Sequence, residues 1–214
     1  IQSLIQSNLM LITEHNNLGI QGHLTIHKIA KGEEELVYDD KNIIVSGFGW
    51  ALAYLFSRQG STSVTDFHLD RFQLGLSGNS SLQVSTTYEL SGPLSSVEEY
   101  TTNGDSNIFA VSADQFKSGV IPGTQSVFGK IPFSKVTKID DRSIRYTIFI
   151  DEDSCNSISR PGNTDIPLNE IGLFVKNPLG RAGDASVLAA YRYFSDIRKT
   201  SDFGLVFRWS ITFG

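Results

Sequence analysis

The segment FGLVFRWSITF, which ends at Phe213, limits the fold more than any other part of the sequence. Large apolar and aromatic side chains occupy every second position, which is the period of a β-strand with one buried face. These positions are Phe203, Leu205, Phe207, Trp209, Ile211 and Phe213. Burying each such side chain contributes roughly 1.5 to 3 kcal/mol. The pattern therefore predicts a strand in the centre of a core.

The same alternation recurs along the chain between short polar stretches. It is found in SIRYTIFID and in HLTIHKI followed by ELVYD, and further strand candidates are FHLDRFQLGL, SVFGKIPFSKV, LNEIGLFV and SVLAAYRYF. The connector KGEE between HLTIHKI and ELVYD suits a hairpin turn. A count of about eight or nine strands, with no alternation of strands and helices, is typical of an all-β antiparallel sandwich. We expect a jelly-roll-like β-sandwich.

One segment departs from the strand pattern. After Ser46, a suitable helix N-cap, apolar residues recur at helical spacing at Phe48, Leu52, Leu55 and Phe56. This predicts one short α-helix near residues 46–57. The expected organisation is an N-terminal arm over residues 1–20 and a single β-sandwich domain over residues 21–214.

Charge and cysteine content exclude several classes of protein. The net charge is -5, and the Lys and Arg residues do not cluster into the basic stripe that a nucleic-acid binder needs. The longest uncharged apolar run, residues 42–57, is shorter than the roughly 17 to 25 residues of a membrane-spanning helix, and the first residues do not form a secretion signal. Because Cys155 is the single cysteine, no intramolecular disulfide can form.

No motif for catalysis, a metal or a cofactor stands out. The run DEDSCNSISRPG resembles a calcium loop but has Asn156 at its sixth position and Gly162 at its twelfth, where Gly and Glu are required. His23 and His27 would lie about 13 Å apart on one strand, too far to share an ion. We therefore expect no cofactor, no metal and no enzymatic activity.

Two polar stretches, residues 86–107 and 153–169, are rich in Ser, Thr, Asn, Gly and Pro. Long loops of this kind in a compact β domain often carry function. We expect them to contact neighbouring subunits or a host surface.

A wider resemblance rests on five segments that occur in the order NIIVSGFGWALAYLF, FQLGLSG, TTYEL, LNEIGLF and YFSDIRKTSDFGLVFRWSITF. In this order, from about Asn42 to Phe213, the chain resembles a loose group of tailed-bacteriophage virion proteins. The group implies a β-sandwich subunit of the tail, baseplate, neck or fibre-attachment region. The second polar stretch is longer and more polar here than the group's pattern implies.

The resemblance also assigns residues and partners. Glu170, Gly172 and Phe174 match one strand motif, and Lys199, Thr200 and Trp209 match the closing turn and strand. We expect the Glu170 carboxylate to pair with a basic group such as Lys199, and the rings of Phe174 and Trp209 to fill the core. The implied partners are other virion proteins and copies of this chain in a ring or trimer, in a virion assembled in the host cytoplasm.

Two alternatives remain open at this stage. A carbohydrate-binding β-sandwich module that attaches to a host-surface glycan would use exposed aromatic rings, for which Tyr88, Tyr100 and Phe116 are candidates. A glycan or peptidoglycan hydrolase would need acidic residues, for which Asp151, Asp153 and Glu99 are candidates.

Overall fold

The computed structural model describes residues 19–57, 67–78, 89–101, 105, 107–112, 125–176 and 186–214. The strands are β1 (Ile20–Ala30), β2 (Glu33–Ile44), β3 (Leu69–Gly75), β4 (Ile108–Ser112), β5 (Gln125–Lys130), β6 (Val136–Lys138), β7 (Ser143–Ile150), β8 (Leu168–Lys176), β9 (Ser186–Ile197) and β10 (Gly204–Phe213). The helices are α1 (Ser46–Ser57) and the single turn α2 (Val97–Tyr100), and a 3-10 turn spans Phe133–Lys135. The predicted all-β class and the helix at residues 46–57 are confirmed.

All ten strands belong to one antiparallel, hydrogen-bonded order, β4-β5-β3-β8-β9-β2-β1-β10-β7-β6. Strand β2 joins the two halves of this order, because it pairs with β1 along most of its length and with β9 only through Ile43 and Ile44. The sheet curls so that its halves pack on each other: the rings of Phe194 in β9 and Phe207 in β10 are 6.0 Å apart. The architecture is a single curled sheet, and the expected jelly-roll sandwich is not confirmed.

Strand β10 lies in the middle of one half, as its alternation predicts. It pairs with β1 on one side and with β7 on the other. The inward side chains of Leu205, Phe207, Trp209 and Ile211 are buried. This strand supplies the largest continuous apolar surface to the core.

The first two strands form the expected hairpin. Its two-residue turn consists of Lys31 and Gly32, both with positive φ, 53° and 82°. Two positive φ values are characteristic of the type I′ turn, whose twist matches that of the flanking strands. One extra residue then shifts the β1–β2 register between Ile26 and His27. Residues 1–18, most of the expected N-terminal arm, lie outside the described part of the chain.

Helix α1 packs on β9 at a point where only glycine fits. A Cβ atom on Gly47 would lie 2.1 Å from the backbone oxygen of Leu188. The buried face of the helix includes Phe48 and Ala51, and the ring of Phe48 is 6.2 Å from that of Phe213. Within the described ranges, no helix is long and apolar enough to cross a membrane.

Candidate functional site

The carboxylate of Glu170 on β8 is fully buried and holds a loop against the sheet. It accepts hydrogen bonds from the backbone N–H groups of Ser91 (3.0 Å) and Gly92 (2.7 Å) and from the Tyr191 hydroxyl (3.2 Å). A Cβ atom on Gly75 would lie 2.4 Å from Glu170 Oε1, so the carboxylate fits only beside a glycine. Glu170 thus provides an acceptor for two N–H groups of the loop and for the buried Tyr191 hydroxyl.

The other two residues of this strand motif serve packing. A Cβ atom on Gly172 would lie within 2.7 Å of the side chains of Leu188 and Leu90, which close over the strand at this point. The ring of Phe174 is buried edge-on against Phe128, with centroids 5.0 Å apart. The expectation that Phe174 fills the core is confirmed.

Lys199, in the β9–β10 turn, has partners other than Glu170. Its buried ammonium group donates to Thr200 O (2.8 Å), Asn156 Oδ1 (2.8 Å) and Glu152 O (3.2 Å). The predicted pair between Glu170 and Lys199 is therefore wrong. Burial lowers the pKa of Lys199, against the attraction of nearby acidic groups. The lysine connects the β9–β10 turn to the loop that follows β7.

Thr200 and Trp209 complete the second motif. The Thr200 hydroxyl donates to the Asp202 carboxylate at 3.2 Å and accepts from the Asp202 N–H at 3.4 Å, which fixes the turn into β10. Trp209 is fully buried, as expected, and its Nε1 atom finds no hydrogen-bond partner among the described residues. All six motif residues therefore have structural contacts.

The two polar stretches bind to each other through an ion pair. The Arg160 guanidinium donates to both carboxylate oxygens of Glu99, at 2.8 and 3.2 Å, and to the backbone oxygen of Pro93 at 2.8 Å. Burial favours a higher pKa for Glu99, but the bonds from Arg160 and from the Ser95 N–H outweigh it, so the pKa lies below its ordinary value. A carboxylate held ionised in this way is a poor general acid.

Tyr100 and Cys155 are both buried, which limits what their side chains can do. Tyr100 is buried, and its hydroxyl accepts a hydrogen bond from the Leu74 N–H at 3.0 Å. It cannot serve as an exposed sugar platform, while Tyr88 and Phe116 lie outside the described residues. Cys155 is buried too, and burial raises its pKa to about 12, so the thiol stays protonated at neutral pH.

A cleft of about 190 Å³ lies where the curled sheet fails to close. Its walls come from both ends of the strand order: Lys130 of β5 lines one side, and residues 147–150 of β7 line the other. Asp105, Asn107 and Asp151 supply polar groups, and Phe149 presents a ring that is 53% exposed. Within the described residues, no cluster of three or more His, Cys, Asp or Glu side chains is placed to hold a metal.

The outer face of α1 is apolar. The helix has no charged residue, and Gly49, Ala53 and Phe56 are exposed on it. Phe56 is 80% exposed. Surface helices of globular proteins normally carry polar and charged residues on their outer face.

Strand β2 leaves one edge uncovered. From Glu33 to Lys41 it pairs with β1, but no strand in the described part of the chain pairs with its other edge. Almost all of these residues are exposed. An unpaired edge of this length is a place where another strand can add.

The described residues thus offer three surfaces: the cleft, the α1 face and the β2 edge. Sequence patterns had indicated neither the cleft nor the free edge, because both depend on strand order. Comparisons of the chain with protein-family models, with curated proteins and with solved structures give no match.

Proposed function

We propose that this chain is a structural subunit of a tailed-phage virion, from the tail, baseplate, neck or fibre-attachment region, that acts by protein–protein assembly. The observation that supports this most is the exposed apolar face of α1, on which Phe56, near the end of the helix, is the largest exposed side chain. Exposed apolar surface is removed from water when subunits associate, and this drives assembly.

A second copy of the chain is the occupant that this face fits best. Because α1 carries no charged side chain, it meets a copy of itself without bringing like charges together. Symmetric assembly of one chain into a closed ring or trimer is the common arrangement for soluble oligomers. The proposal therefore includes a homo-oligomer that uses α1.

We expect the substitution Phe56→Glu to weaken self-association by about 30-fold, the effect of removing one strong interface anchor. Sedimentation of the purified chain over a concentration series measures this. The matched control is Phe133→Glu, because Phe133 is 87% exposed but lies on the 3-10 turn away from α1. A wild-type chain that stays monomeric at every concentration contradicts the homo-oligomer.

Membership of a virion is tested separately. Mass spectrometry of purified particles of the phage that encodes the chain, with immunogold labelling, should find it at a fixed copy number in one part of the tail or neck. Its absence from intact particles would overturn the virion assignment, whatever its oligomeric state.

A carbohydrate-binding module that attaches to a host-surface glycan is the second candidate, and the cleft supports it. An exposed ring, Phe149, stands beside the carboxylate and amide groups of Asp105, Asn107 and Asp151, and sugars bind to such combinations of ring and polar groups. The cleft volume is below the roughly 300 to 1,000 Å³ of drug-sized ligand sites, which suits a single sugar residue.

We expect Phe149→Ala to lower the affinity for any glycan identified on an array by about tenfold, through loss of the ring contact. Tyr193→Ala is the control, since it removes a partly exposed ring on β9 that neither lines the cleft nor lies on α1. An array without hits, or equal binding by both variants, counts against the glycan function.

A further inference from the structure

The uncovered edge of β2, which we define as Glu33–Lys41, carries backbone groups that face outward. The two-residue turn makes Ala30 and Glu33 a hydrogen-bonded pair, and the bonding alternates from there along the hairpin. The N–H and C=O groups of Glu34 and Leu36 therefore point away from β1. They are the groups that an added strand would bind.

The hairpin that carries this edge is acidic. Residues 31–41 contain five carboxylates and two lysines, a net charge of -3. Three of the carboxylates already have basic partners: Glu34 pairs with Arg208, Asp39 with His23 and Asp40 with Arg192.

The remaining two carboxylates, those of Glu33 and Glu35, are the ones that can bind a basic group of another chain. Among the described residues, Glu33 and Glu35 form no ion pair, and both are exposed. Two apolar side chains follow Glu35 along the edge, Leu36 (52% exposed) and Val37 (40% exposed). The edge thus combines an unneutralised negative charge with a small apolar centre.

These charges disfavour a second copy at this edge. Antiparallel self-pairing over the whole edge would be centred on Val37. It would place Glu34 opposite Asp40 and Glu35 opposite Asp39, and only the end pair, Glu33 opposite Lys41, would be attractive. Like charges directly opposite each other across a strand pair are destabilising. The edge is therefore suited to a different chain, in contrast to the uncharged face of α1.

We propose that the β2 edge binds an extended segment of another protein, rich in Lys or Arg and containing apolar residues, which adds as an antiparallel strand. Basic side chains of that segment lie beside Glu33 and Glu35 on one face of the strand, and an apolar side chain lies beside Leu36 on the other. Its backbone bonds to Glu34 and Leu36. This inference does not depend on the virion assignment.

The test uses the full chain and a nine-residue peptide of alternating lysine and valine, with binding followed by calorimetry at low salt. Two altered peptides accompany it: one with glutamate in place of lysine, and one with N-methyl groups along one backbone edge. We expect the basic peptide to bind and both altered peptides to lose binding, because one lacks the charge match and the other the backbone donors.

Two variants of the chain locate the site. Glu33→Lys with Glu35→Lys should weaken binding of the basic peptide by about tenfold, since two attractive cross-strand pairs become repulsive. The control, Asp141→Lys with Asp153→Lys, changes the net charge equally at other exposed sites and should leave binding unchanged. Leu36→Pro removes an outward N–H and should also weaken binding, as proline is tolerated at strand edges.

Each contrary result overturns the inference. If the N-methylated peptide binds as well as the basic peptide, charge alone attracts it. If the control variant weakens binding as much as the Glu33 and Glu35 variant does, the β2 edge is not the binding site. If the basic peptide does not bind either, the charges only keep the edge unpaired. A dimer broken by Leu36→Pro means that a second copy occupies the edge. If the chain is found in virions but does not bind the basic peptide, only this inference fails. If the chain is absent from virions but binds the peptide, only the virion function fails.

Discussion

Replacing Glu170 with alanine is expected to lower the free energy of unfolding by about 4 kcal/mol. The change removes the acceptor used by three donors, the half-buried N–H groups of Ser91 and Gly92 and the buried Tyr191 hydroxyl. Each donor left without a partner costs about 1 to 3 kcal/mol, and entering water recovers part of that cost. The loop from Ser91 to Leu94 should loosen first, because it loses two of its hydrogen bonds and keeps only its backbone bonds to Leu74 and Leu76 on this side.

Urea denaturation of the purified chain at neutral pH, followed by circular dichroism, measures the effect. Glu98→Ala is the control, because Glu98 follows the same loop in sequence but its carboxylate is exposed. Glu170→Gln should lose about half as much stability, since it keeps the shape and one acceptor oxygen. A loss below about 1 kcal/mol for Glu170→Ala would show that the carboxylate does not hold the loop.

Replacing Trp209 with alanine is expected to destabilise the fold by about 4 kcal/mol, the usual cost of removing a large buried aromatic side chain. Trp209 is fully buried in β10, between Leu24 of β1 and Tyr146 of β7 in the strand register. Trp209→Phe should cost only about 1 kcal/mol. The indole Nε1 atom has no hydrogen-bond partner in the described residues, so the phenylalanine variant loses volume but no bond.

Guanidinium denaturation of the two variants distinguishes a packing role from a polar one. Circular dichroism is the suitable signal, since Trp50 also contributes to the fluorescence. If Trp209→Phe proved as damaging as Trp209→Ala, the indole nitrogen would need a partner, and the packing explanation would fail.

Strands with a strict two-residue period could be predicted from the sequence, because the period directly reflects which face is buried. β7 and β10 are largely of this kind, and so is the β1–β2 hairpin, whose turn residues carry their own signal, whereas β8 and β9 bury several consecutive residues. β4, which spans Ile108–Ser112, was not predicted, since its five residues follow a polar stretch and are too few to establish a period.

The contacts of the polar groups could not be predicted for a different reason. Glu99 and Arg160 are far apart in sequence, and nothing in their local context indicates that they meet. The sequence predicts a lysine partner for Glu170 because it shows charged side chains, whereas two of the actual partners are backbone N–H groups, which no sequence pattern displays. The polar stretches therefore read as loops available for partner contact, although their described parts are largely occupied with each other.

The surfaces proposed for assembly could be predicted from the sequence only in part. The uncharged composition of α1 is visible in the sequence, but the exposure of Phe56 is not. The acidic run Glu33–Glu35 is visible too, while the uncovered edge depends on how far β2 follows β9 before diverging.

That divergence has a mechanical consequence. Between β2 and β9, one half of the sheet is tied to the other by two ladder pairs, at Ile43 and Ile44, and by the bond from the Val45 N–H to the Ala189 oxygen, and the described strands at the opposite seam share no ladder. Twisting of one half against the other is thus resisted mainly by interlocked side chains such as Phe194 and Phe207. The curvature of the subunit is set by the shape of its interior, so that changes of core volume would alter the angle at which its outer surfaces meet their neighbours.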